Sequence, residues 1–265
     1  MNPVEQAIDR LKRGEMIIIV DDERRENEGD LVVAAEHITT EQMAFMIRHT
    51  GGVVCISLSN AIADKLELPD MVHKNTSKRT TSFTVSVDAE RGITTGISAR
   101  DRVVTIQTIL NPVAKPSDLA RPGHVFPLRA AAGGVLWRGG HTEASVDLCR
   151  LAGLREAAVI SELMNDDGTM MRGPELLSFA RANKLPIISV ANIIAYRHQN
   201  ETFIKLEAQS DLQTETGDWL VRVYRDSLKN TEHVALVKGE IKKDEPTLVR
   251  VHSECFTGYL IGSLH

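Results

Sequence analysis

The sequence predicts an α/β protein: mixed-sheet layers with helices on the faces, followed by a small β-rich appendage. Three observations carry this. Short apolar runs alternate with segments of helical period up to about residue 199. Helical signals stop after His198-Gln199-Asn200, and only short alternating runs remain. With 265 residues and 42% hydrophobic content, the chain can fill one large core and add a small second unit. The expected domains are 1–199 and 200–265.

In chain order, Asn2 caps a helix with Pro3 at its first position and Glu5 placed for a capping box. Val4, Ala7, Ile8 and Leu11 recur at helical spacing until Gly14 breaks the pattern. Residues 16–21 and 31–35 read as buried strands. Thr40 caps a helix to about His49, with Gly51-Gly52 as the break, and 53–57 is a strand. Residues 74–82, KNTSKRTTS, read as an exposed basic loop, and 83–87 alternates as a strand. Ser98 precedes a helix carrying Val103, Ile106 and Leu110. Residues 111–124, with Pro112, Pro116, Pro122 and Gly123, read as a loop. A helix follows His141 and ends near Gly153. Then come a strand at 157–161, a helix from Gly173-Pro174 to about Asn183, the strand PIISV and a last helix with Ile193, Ile194 and Tyr196. The appendage offers FIKLEA, DWLVRVYR, HVALVKG and TLVRVHS as strands.

Composition narrows the function. A net charge of −5 without a basic block, and 4% aromatics, argue against a nucleic-acid surface. The longest aliphatic run, Met16 to Val20, is too short for a membrane span. The first ten residues show no basic-then-apolar secretory pattern, so the expectation is a cytoplasmic protein. Three scattered cysteines, Cys55, Cys149 and Cys255, make neither a disulfide framework nor a zinc knuckle.

Three constellations are chemically suggestive. In Arg25-Glu26-Asn27-Glu28-Gly29-Asp30, an extended chain would place the carboxylates of Glu26, Glu28 and Asp30 on one side. A hard cation such as magnesium would relieve their repulsion and leave one carboxylate free as a base; the alternative is a solvated acidic turn. In Arg138-Gly139-Gly140-His141-Thr142, two glycines before a helix offer free amides, a guanidinium and a hydroxyl to a phosphate, with His141 as ligand or acid; the alternative is an ordinary glycine turn. Glu162 ends an apolar strand, where a half-desolvated carboxylate can act as acid or base or simply be solvated. His124, in a proline-rich loop, is either catalytic or inert.

Together, RENEGD, TTGISARDR, RPGHVFPLRA, GGHTEASVDL and SELMNDDGTM, in this order, resemble the 3,4-dihydroxy-2-butanone 4-phosphate synthases of riboflavin biosynthesis over about residues 2–199. The resemblance implies conversion of ribulose 5-phosphate to 3,4-dihydroxy-2-butanone 4-phosphate and formate with magnesium or manganese. It implies that Arg25 and Glu26 contact substrate, that Glu26 and His141 ligate the metal, and that Asp30 binds substrate and moves protons. It implies that Arg138, Gly139, Gly140, His141 and Thr142 cradle the sugar phosphate. His124 and Glu162 match essential positions, Glu162 also as a substrate contact, and Glu28 joins Asp30, His124 and Glu162 as a candidate catalytic group. It further implies a mobile loop at 74–82 and a homodimer with sites at the interface.

The appendage resembles the start of GTP cyclohydrolase II, in DLQTETGDWLVRVYRD, EHVALVKGEI and VRVHSECFTGYLIGSL. That family binds zinc through three cysteines, of which Cys255 alone has a counterpart, and Tyr259 stands where the family has Asp. One thiolate cannot make a zinc site, so the expectation is a truncated segment without zinc or cyclohydrolase activity.

Overall fold

The structure is a computed structural model that describes residues 2–51 and 53–252. It divides into two compact units between Glu201 and Thr202.

In the first unit, α1 (Pro3–Lys12) begins with the capping box, and its stripe Val4, Ala7, Ile8 and Leu11 is buried. There follow β1 (Ile17–Val20), β2 (Gly29–Ala34), α2 (Thr40–His49), β3 (Cys55–Leu58) and α3 (Asn60–Lys65). Next come β4 (Val87–Ala89), α4 (Ala99–Leu110), β5 (Leu119–Arg129), α5 (His141–Leu151) and β6 (Ala157–Glu162). The unit closes with α6 (Gly173–Asn183), β7 (Ile187–Ser189) and α7 (Val190–Asn200). The strands form one seven-stranded mixed sheet in the order β4-β5-β3-β6-β2-β1-β7. The pairs β1/β7 and β3/β5 are parallel and the other neighbours antiparallel.

Strand periodicity sorts the side chains to two faces. Ile18, Leu31, Val33 and Ile56 pack with Met43 and Met46 of α2, Ile106 of α4 and Leu176 of α6. Ile17, Ile19, Val32 and Ile160 pack with Leu11 of α1, Leu148 of α5 and Ile193 of α7. The result is the expected sheet between helical layers.

The local differences have physical reasons. The cap of α2 is Thr39, whose hydroxyl accepts from the Gln42 amide. Within 83–87, Phe83 and Thr84 make isolated bridges and the strand proper starts at Val87. The expected loop 111–124 is overturned, because β5 begins at Leu119. Pro122 and Gly123 are not strand breakers here. The pairing with β4 jumps from Val87↔Val125 to Asp88↔Ala120, so residues 121–124 bulge out of the ladder, where a missing amide hydrogen costs nothing.

The second unit is a three-stranded antiparallel sheet, β8 (Ile204–Thr214), β9 (Gly217–Asp226) and β10 (Thr231–Val237), with β9 central. Cross-strand partners Val223↔Val234 and Val221↔Leu236 build an apolar row. TLVRVHS does not form the expected strand: residues 247–252 are irregular and belong to no strand, and Ser253 lies outside the described residues. Cys255 and Tyr259 also lie outside the described residues.

Candidate active site

The site begins where an apolar row of the sheet turns polar. On the face covered by α5, β2 and β6 pair Ala34 with Ala158 and Val32 with Ile160, and the next pair in register is Asp30 with Glu162. Cross-strand partners share a face, so the pairing that buries the valine and isoleucine also sets two carboxylates side by side. Both line a cavity of about 540 Å³ with Cys55, Leu128 and Ile160 as its apolar floor.

The acidic run between β1 and β2 is not extended as expected. Residues 23–26 form a turn and Asn27 adopts a left-handed φ of 53°. Asp21 organises it: one carboxylate oxygen accepts from the Glu28 amide, the other from the Glu26 amide and the Arg25 guanidinium. Glu26 thereby points into the cavity, but Glu28 does not line it. Its carboxylate instead faces the Arg172 guanidinium at 3.1 Å. The period-two reading failed because a side chain outside the run, Asp21, supplied the hydrogen bonds of a turn.

Opposite stands His141, first residue of α5 behind the cap Gly140. Its Nδ1 lies 3.6 Å from Glu26 Oε2 and 3.7 Å from Asp30 Oδ1. The contact with His141, helped by Arg25, holds the Glu26 carboxyl down at about 2. Burial, with Glu162 and Glu26 nearby, pushes Asp30 up to about 7. Burial would lower His141, but Asp30 and Glu26 outweigh it and raise the imidazole to about 9. Buried Asp30 Oδ1 and His141 Nε2 have no hydrogen-bond partner among the described residues. Asp21, Glu26 and His141 offer ligand atoms within 4.8 Å of one another, a donor set of two oxygens and a nitrogen that fits a divalent cation. Asp21 was not singled out from sequence; its signal was being the first carboxylate after an apolar strand.

The same cavity also carries cationic side chains, of which Arg25 and Arg79 lie beside Glu26. Arg25, Lys74, Lys78, Arg79 and Arg138 line it, with Thr142 on the first turn of α5. Loop residues Asn75, Thr76, Ser77 and Thr81 also contribute, so 74–82 borders the site. Arg138 is held at 2.7 Å by buried Glu143, which sequence reading also missed, and donates to Thr81 Oγ1 at 2.8 Å. Gly139 and Gly140 do not line the cavity. Gly140 matters in a different way: a Cβ there would stand 2.5 Å from Arg138 Nη1 and 3.0 Å from Arg25 Nη2 and would push these guanidinium ends aside. A larger depression of about 660 Å³ shares Arg138 but contains neither His141 nor any of Glu26, Asp30 and Glu162. His124 is absent from both cavities; it sits on the β4–β5 bulge, bonded to Asp88.

The model of the 3,4-dihydroxy-2-butanone 4-phosphate synthase family matches residues 5–196. The chain belongs to that family. The GTP cyclohydrolase II model matches residues 205–265. Among curated relatives, riboflavin biosynthesis protein RibBA of Aquifex aeolicus is 53% identical over 97% of this chain and 64% of its own length. RibBA of Salinispora arenicola is 50% identical over 98% of this chain and 62% of its own length. The chain thus spans less than two thirds of these relatives. Among solved structures, the two-domain synthase RibBX of A. baumannii has a TM-score of 0.84 at 46% identity, covering 98% of this chain and 76% of that one. A synthase in complex with two magnesium ions has a TM-score of 0.73 at 48% identity, covering 75% of this chain and 97% of that one. The synthase family match covers every residue that lines the 540 Å³ cavity.

Proposed function

We propose that the chain is a lyase that converts ribulose 5-phosphate to 3,4-dihydroxy-2-butanone 4-phosphate and formate in riboflavin biosynthesis. One observation carries the reading: in a chain of this family, a single cavity gathers Glu26, Asp30, Glu162 and His141 together with five cationic side chains. A sugar phosphate calls for both kinds of group, with an anionic end for Arg138 and Thr142 and a polyol end whose protons must be moved. The products together hold every atom of the substrate, so the work is proton transfer and rearrangement, for which the carboxylates suffice as acids and bases.

Glu26 and His141 would hold magnesium or manganese, with Asp21 fixing the turn that presents Glu26. Such a cation supplies polarisation of the substrate's carbonyl and hydroxyl oxygens. Asp30, with a carboxyl near 7, can both give and take a proton at neutrality. Glu162, its cross-strand partner, is the second proton-handling group, on the same face of the sheet. Phosphate binds to Arg138, Thr142 and the free amides of the first turn of α5.

His124 lies outside its own chain's cavity, which favours a homodimer in which the imidazole serves a second copy. The synthase activity is assigned to 1–199, and 200–265 to a GTP cyclohydrolase II-like segment. No helix among the described residues is long and apolar enough to cross a membrane. The cytoplasm, where phosphorylated sugars reside, is the place assigned to the reaction.

The test is incubation with ribulose 5-phosphate and magnesium, with formate measured. Stoichiometric formate that disappears on chelation supports the reading. Undiminished formate after exhaustive chelation removes the metal from it, and no formate at all overturns it.

A further inference from the structure

The bulge that carries His124 is built around a second side chain. Asp88, in the middle of β4, is 7% exposed. Its Oδ1 accepts from the His124 amide at 3.0 Å and its Oδ2 lies 2.7 Å from His124 Nδ1. The neighbouring Gly123 amide donates to Ser86 Oγ at 3.1 Å. Two glycines clear the space. A Cβ on Gly96, whose φ is +90°, would stand 2.2 Å from Asp88 Oδ2 and 2.7 Å from His124 Nδ1. A Cβ on Gly123 would stand 2.0 Å from the Val87 carbonyl carbon. The register shift, the hydroxyl of Ser86 and both glycines thus converge on one contact. The imidazole it holds keeps 40% of its surface exposed.

A carboxylate accepts hydrogen bonds and does not donate them, so Nδ1 must carry the hydrogen. Nε2 is then the basic nitrogen, turned to chemistry outside the bulge. A buried carboxylate on the far nitrogen also steadies the cation formed when Nε2 takes a proton, the division of labour known from serine-protease triads. We propose that Asp88 is a positioning residue for the reaction: it fixes His124 in the Nδ1–H tautomer, with Nε2 as the working nitrogen. This rests on the reading of His124 as a reacting group.

The test uses the full chain with D88N, H124A and the double variant, and a nitrogen-15 spectrum of the wild-type imidazoles with His124 assigned by its loss in H124A. In the wild type, His124 should carry its hydrogen on Nδ1 above its titration. D88N should lower kcat for formate by about 10²-fold or more while KM stays within about threefold. The double variant should be no slower than H124A alone. A wild-type His124 that is predominantly Nε2–H overturns the proposal without any variant having to fold. So does D88N at wild-type kcat when H124A is inactive, which leaves the role of His124 intact. H124A at wild-type kcat overturns the reading of His124 itself, and the proposal with it.

Discussion

Exchanging the Glu162 carboxylate for an amide keeps its shape and removes its proton chemistry. Glu162→Gln should lower formate release by about 10²-fold or more while ribulose 5-phosphate still binds, as calorimetry would show. Near-normal turnover would make Glu162 structural. Thr142→Ala should raise KM by about two- to tenfold, the equivalent of about 0.5–1.5 kcal/mol of hydrogen bonding. An unchanged KM would take phosphate away from α5. His141 adds a pH signature. With the imidazole raised to about 9, its proton competes with a cation at neutrality. Manganese affinity of the free protein, followed by electron paramagnetic resonance, should therefore rise with pH towards 9, by up to about tenfold per unit. A flat profile would remove His141 from the ligand set.

Among the elements, α5 and α7 are tied by ions rather than by apolar contact alone. Arg197 of α7 donates to Asp147 of α5 at 2.7 Å and to both oxygens of Glu201, which also accepts from Arg150. Asp147→Ala removes one of the two carboxylates on the buried Arg197 guanidinium, which keeps Glu201 and the Gly133 carbonyl, and should cost about 2 kcal/mol in a denaturant titration. Burial would raise Glu201, but Arg197 and Arg150 outweigh it and hold the carboxyl below its ordinary 4.5. Its contribution is therefore complete above about 4.5 and is lost as the pH falls below that value, and Glu201→Gln should flatten this acid limb. Elements with local signals were legible in sequence: the Asn2 cap, the Gly14 stop and the apolar spacing of α1 all act within a few residues. What was illegible was set from afar. β5 was hidden by Pro122 and Gly123, because only the partner strand shows that they sit in a bulge. Glu28 was misplaced because Asp21 folds the acidic run into a turn, and the value of Glu143 depends on Arg138 coming back to meet it.

For the whole molecule, the division between Glu201 and Thr202 places every cavity-lining residue in the first unit. Residues 1–201 purified alone should release formate at a rate close to that of the full chain. A soluble but inactive fragment would show that the rest of the chain contributes to the site. Ending at residue 199 instead forfeits the Glu201 ion pairs and should lower stability by about 1–2 kcal/mol relative to 1–201. The Asp30–Glu162 register has a consequence for how such a chain can change over time. A strand that gains or loses one residue turns every later side chain to the opposite face. One codon inserted in β2 or β6 would thus separate the two carboxylates without altering either. The loop 74–82 makes no ladder pairing, so a change in its length shifts no strand register and can retune the cavity rim. Heritable variation in this family should therefore come as insertions and deletions in the rim, and as substitutions alone in the two strands beneath it.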